Sequence, residues 1–165
     1  MENLLLSAHV LAGILFVGPV AVTTSLFPRF APASVGASTG APAGASATPG
    51  PPGTVVRRER SASVARMLHG VTRVYGVLAL VVPVLGLVLA AVQGRLGEVW
   101  IIVAMVLTAV AGGLLALRIA PGQRAVLEVP GDAARLRGLS MLTGVFNLLW
   151  AAVVVLMVVR PGSPV

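Results

Sequence analysis

Four long stretches without a charged residue limit what this chain can become. The most informative runs from Val74 to Val92, 19 residues long. As a helix at ~1.5 Å per residue it measures about 28 Å, roughly the hydrocarbon thickness of a bilayer. It is entered through a polar, basic approach, Arg66 to Gly76, reading Arg-Met-Leu-His-Gly-Val-Thr-Arg-Val-Tyr-Gly. Comparable runs extend from Leu4 to Phe27, Val99 to Leu117 and Leu139 to Val159. Only 10% of the residues are charged, against about 25% in soluble domains. So few charges cannot clothe a water-facing surface, so lipid must cover much of this one. The expectation is an all-α integral membrane four-helix bundle with spans near 4–27, 70–92, 99–117 and 139–159.

The first run is read as a retained helix. A secretory leader would carry a basic start and a shorter apolar core, whereas here Glu2 is the only charge before the run. Pro19 removes a backbone donor within it, which predicts a kink near Gly18. Residues 28–56 consist mostly of Ala, Gly, Ser, Thr and Pro and cannot bury enough apolar area to offset the entropy of ordering, so a disordered loop is expected. Arg57, Arg58 and Arg60 then open a basic helical approach to the second span. Gly94 to Glu98 reads as a tight turn, with Trp100 at a membrane interface. Ala104, Thr108, Gly112 and Ala116 recur every four residues, a small-residue stripe that would let another helix approach closely. Arg118 to Arg137, with Pro121, Gly122, Pro130 and Gly131, reads as a polar loop with room for a short surface helix.

All 12 basic residues are arginines. Four spans place Arg95 and Arg160 on the side of the termini and the other ten arginines opposite. That asymmetry predicts both termini outside (N-out, C-out) and a cytoplasmic first loop. The net charge of +7 is explained by topology and anionic headgroups, and no nucleic-acid partner is expected. No cysteine is present, which excludes disulfides, thiolate metal sites and cysteine nucleophiles.

Few residues carry chemistry. His9 falls in the outer part of the first span and His69 at the inner edge of the second, about 20 Å apart in depth, too far to share one haem iron. Met105 and Met157 fall at the depth of His9. One imidazole with two thioethers suits Cu(I); equally, methionines fill gaps while His9 bonds a neighbouring helix. The inner half gathers His69, Thr72, Arg73, Tyr75, Thr143 and Asn147, with Thr23, Thr24, Ser25 and Ser140 nearby. These residues read either as a pocket for an anionic headgroup or small solute, closed by Arg73, or as interhelical bonds with a snorkelling arginine. The carboxylates, Glu2, Glu59, Glu98, Glu128 and Asp132, lie outside the apolar runs, and no nucleotide-binding or metalloprotease motif occurs.

Two segments carry a family likeness: His9-Val-Leu-Ala-Gly-Ile-Leu-Phe-Val-Gly-Pro and His69-Gly-Val-Thr-Arg-Val-Tyr-Gly. They resemble a bacterial family of predicted four-span integral membrane proteins of unknown function, which implies four helices and membrane residence without implying an activity. The first helix also resembles, more distantly, the opening helix of copper-resistance D-like proteins, where a histidine precedes small and aromatic residues. That match rests on one helix, and this chain is shorter than the helix count of that family requires. The expectation is a non-enzymatic structural or accessory protein, or a small-ligand binder, in the bacterial cytoplasmic membrane. It would need no resident cofactor and would have lipids as neighbours, with a homo-oligomer formed through small-residue faces. The alternatives are a copper- or haem-associated protein using His9, Met105 and Met157, and a small-solute permease acting as an oligomer.

Overall fold

A computed structural model describes residues 2–32, 52–129 and 133–161, with side chains from Glu59 onward in the second segment. Most of the first loop, residues 33–51, lies outside the described residues. The ends of that expected loop are helical, since the first helix continues to Phe30 and the second begins at Pro52.

Four helices are long and apolar enough to cross a membrane. Helix α1 spans Glu2–Phe30, α3 Val99–Glu128 and α4 Ala133–Val159. Helix α2 comprises Pro52–Leu78 and Val81–Val92. Sequence neighbours pack together, α1 on α2, α2 on α3 and α3 on α4, and α4 returns to α1, closing a four-helix bundle. The chain is all-helical among its described residues, as an apolar solvent demands: each helix satisfies its own backbone groups.

Prolines set the irregularities. A proline leaves the carbonyl four residues earlier without its usual donor. For Pro19 and Pro121 those residues are Leu15 and Leu117, and each lies within a single wide π-turn, Gly13–Val17 and Leu115–Ile119. After the second, the Ala120 N–H reaches back to the Leu115 carbonyl. For Pro83 the residue is Ala79, where α2 is interrupted; its carbonyl takes the Val82 N–H instead, at 3.1 Å. At Pro19, Pro83 and Pro121 the helix thus absorbs the proline by a local change of winding and continues.

The second π-turn corrects the expected polar loop after Leu117, because α3 passes through Pro121 and Gly122 and remains helical to Glu128. Within the bundle the small-residue stripe is packed only in part. Ala104 is buried, whereas Gly112 and Ala116 are exposed. Four-residue steps on a helix of 3.6 residues per turn drift by about 40° each, so the stripe leaves the packed face. Ala104, Ala111, Leu115 and Ile119 form that face.

The core has three levels. A central cluster joins Ala12, Val17, Val20, Val82, Ala111, Leu115, Ile119 and Phe146 from all four helices. Phe27, Ala65, Leu68, Val126 and Leu139 fill the arginine-rich end, and Ala90, Trp100 and Ile101 the other. At that other end Gly94 adopts φ +67°, and Arg95 N–H and Gly94 N–H close α2 on the carbonyls of Ala90 and Ala91. Trp100 donates its indole N–H to the Glu98 carboxylate, which also lies 3.6 Å from Arg95. Large apolar side chains remain exposed around the bundle, including Leu117, Leu148 and Val158, the surface expected where the solvent is lipid.

Candidate functional site

The antiparallel register of α1 and α2 places His9 on Gly86, Thr23 beside Thr72 and Phe27 with Leu68. That of α2 and α3 places Gly76 on Leu115 and His69 beside Gln123. These registers gather the polar side chains at the arginine-rich half of the bundle.

Three hydrogen bonds cross between helices there. Thr23 and Thr72 share a buried contact of 2.9 Å. Thr72 also lies 2.9 Å from its own Leu68 carbonyl, and Thr23 2.8 Å from that of Pro19. A hydroxyl has one proton, so one threonine donates across the interface while the other donates to its backbone. His69 Nδ1 lies 3.1 Å from Gln123 Oε1. Asn147 Nδ2 donates to Ser25 Oγ at 3.0 Å. Since Ser25 spends its own proton on the Ala21 carbonyl at 2.7 Å, its oxygen can only accept, which fixes the orientation of the Asn147 amide.

The same residues leave three buried polar atoms without a partner: Gln123 Nε2, Thr143 Oγ1 and Asn147 Oδ1. Gln123 is wholly buried and Thr143 is 3% exposed. Turning the Gln123 amide over would only exchange which of its atoms is left. Thr143 is distinctive among the threonines whose side chains are described. Thr23, Thr24, Thr72 and Thr108 all lie within bonding distance of a carbonyl one turn back, and Thr143 does not. Thr143 and Asn147 stand one turn apart on one face of α4. A Cβ on Gly122 would lie 2.7 Å from Leu139, so in the antiparallel α3–α4 pair Gln123 stands near the level of Gly138, about 7–8 Å along the axis from Thr143. In an apolar interior each such atom costs about 1–3 kcal/mol unless something fills the gap.

Two residues of the sequence-derived pocket stand apart from this cluster. Tyr75 packs against the central apolar cluster. Arg73 is exposed and lines an outward-facing groove with Gly70, Val74, Val77 and Leu78. It lies at the bundle surface because α2 turns Leu68, Thr72 and Ala65 inward, and Arg73 follows Thr72 by about 100°. Gln123 was missed by sequence reasoning because it fell in the expected loop. The signal was present: Leu115, Ile119 and Val126 continue a helical apolar period straight through Pro121.

His9 occupies a different site. Its Nδ1 lies 3.0 Å from the Val82 carbonyl, so Nδ1 carries a proton and, in the neutral ring, the lone pair is on Nε2. The ring lies flush with Gly86, where a Cβ would meet His9 Cε1 at 2.9 Å. Both partners are on α2, about 20–25 Å along the helix from His69. Met105 packs against the Ala90, Trp100 and Ile101 cluster, one turn beyond Gly86 on α2, and Met157 is half-buried on α4. Among the described residues no three His, Asp or Glu side chains converge as a metal site. Compared with protein families, curated proteins and solved structures, the chain matches none of them.

Proposed function

We propose that this chain is a non-enzymatic, multi-pass protein of the bacterial cytoplasmic membrane that binds a small neutral polar solute. Its arginine-rich end faces the cytoplasm and both termini face outward. The observation that carries the binding reading is the set of unpartnered buried atoms, Gln123 Nε2, Thr143 Oγ1 and Asn147 Oδ1. All three are uncharged and offer both donors and acceptors. Among the described residues Arg73, Arg118 and Arg124 are exposed, so no arginine is buried at this level to balance an anion. A neutral molecule carrying both a carbonyl or hydroxyl acceptor and a polar hydrogen satisfies Thr143 and Asn147, which share one face of α4. The four long apolar helices and the arginine asymmetry support the membrane and its sidedness.

The test is Thr143→Val, which removes the hydroxyl and keeps the volume. If a solute fills the site, protein purified from membranes releases a small polar molecule on denaturation, and Thr143→Val both loses that molecule and melts lower. If Thr143→Val melts at or above the parent and neither releases anything, the site holds no solute, because deleting an unsatisfied buried group is neutral or stabilising.

A second reading rests on His9. Its Nδ1 bond to a backbone carbonyl is the arrangement that orients metal-binding imidazoles, and the Nε2 lone pair is the ligand it would offer. With Met105 and Met157 that donor set suits Cu(I), and the histidine alone suits a haem iron. Metal analysis and an absorption spectrum of the purified protein decide it; a colourless protein without stoichiometric copper or iron removes the reading.

A further inference from the structure

We infer that the outward face of α2 around Gly70 and Arg73 binds one anionic phospholipid. Arg66, Gly70, Arg73 and Val77 fall on one stripe of the helix, at the spacings that share a face. Gly70 is exposed, and a Cβ there would meet nothing within 4 Å, so the helix surface has a gap between two cations. Those cations stand about 10 Å apart along the axis, close enough for both flexible side chains to lean over the gap.

Below the gap the surface turns apolar. Gly70, Arg73, Val74, Val77 and Leu78 line an open groove of about 530 Å³. Val74 and Val77 are more than half exposed, and Leu80 and Val81 continue the apolar strip away from the arginines. The groove therefore has a cationic head and an apolar tail, ordered along the membrane normal as a phospholipid is. Arg66 makes only a 3.3 Å bond to Ser63, and Arg73 forms no ion pair among the described residues. The two guanidiniums are thus available to a phosphate, whose oxygens they can grip bidentately, with Gly70 allowing close approach. The charge at the head selects an anionic headgroup over a zwitterionic one, whose own ammonium opposes the arginines. This proposal is independent of the solute site inside the bundle, because Arg73 is exposed on the outward face of α2 while Thr143 is buried in the interior.

The test uses the full chain in a mild neutral detergent. Phosphatidylglycerol, phosphatidylcholine of the same acyl chains, and glycerol 1-phosphate are titrated separately while thermal unfolding is followed. Phosphatidylglycerol is expected to bind about tenfold more tightly than phosphatidylcholine, the equivalent of ~1.4 kcal/mol. Glycerol 1-phosphate is expected to produce no shift. Arg73→Gln should erase the preference. Gly70→Leu should weaken phosphatidylglycerol at least as much while folding well, since Leu is a better helix former than Gly and meets open space. Equal affinity for the two lipids, a Gly70→Leu variant that keeps the preference, or an equal response to glycerol 1-phosphate each overturns the proposal. The last outcome would make this a site for a free phosphate.

Discussion

Gly86 is the position at which one added carbon tests the α1–α2 interface most sharply. A Cβ there would lie 2.9 Å from His9 Cε1, 3.4 Å from Nδ1 and 3.6 Å from Nε2. Real side chains do not approach this closely, so Gly86→Ala must push the imidazole away. The ring is held by its 3.0 Å bond to Val82, so moving it strains or breaks that bond. Overpacking costs about 1–3 kcal/mol, and an interhelical bond in a membrane averages about 0.6 kcal/mol. Against this, Ala is favoured over Gly in a helix by about 1 kcal/mol. The expected net loss is about 0.5–2.5 kcal/mol. The assay is reversible unfolding in mixed detergent micelles for the parent, Gly86→Ala, His9→Ala and the double variant. With the ring removed the same methyl should become neutral or stabilising, giving a coupling of at least about 1.5 kcal/mol between the two positions. If Gly86→Ala costs as much in the His9→Ala background as in the parent, the packing described here is wrong.

Other expectations follow from the same geometry. Gly122→Ala should be nearly neutral in the same unfolding assay, because the atom it meets is the free end of the Leu139 side chain. Gly94→Ala should lose about 1–2 kcal/mol, since its φ of +67° is strained for any side chain. Thr23→Val and Thr72→Val should show a coupling of about 0.6–1.7 kcal/mol through their shared bond. Arg73→Lys and Asn147→Ala should be additive within about 0.5 kcal/mol, because Arg73 faces outward; coupling above that would place the arginine back in the pocket.

Much of the architecture was legible because apolar runs report directly on a bilayer. The helix content and the bundle follow from Leu4 to Phe27 and its three counterparts, which have no other stable state in lipid. What escaped was decided by tertiary packing. Pro121 and Gly122 are turn residues in water, yet the Leu115–Ile119 π-turn lets α3 pass through them, and with that Gln123 enters the interior. The stripe from Ala104 to Ala116 was read at a spacing of four, while the packed face follows the true period through Ala111 and Leu115. Reading Thr72 and Arg73 as one polar group ignored that adjacent residues point about 100° apart, so one is buried and the other faces lipid. Thr23 and Thr143 were recognisable as helix-facing polar groups, and Asn147 as one bonded to a neighbouring helix. Which of their atoms are left unpaired was not, since that depends on the pairing of Asn147 with Ser25 and on Thr143 withholding its hydroxyl from the backbone.

The whole account rests on a four-span bundle whose arginine-rich end, with the polar cluster beneath it, faces the cytoplasm. Because the chain contains no cysteine, single cysteines report sidedness without background. Gly97, in the turn between α2 and α3, and Ala134, at the start of α4, are both exposed and stand at opposite ends of the bundle. A membrane-impermeant maleimide applied to intact cells should label Gly97→Cys, and should label Ala134→Cys only after the membrane is opened. Labelling of Ala134→Cys in intact cells, or protection of Gly97→Cys, would contradict the orientation and move the polar cluster to the outer face.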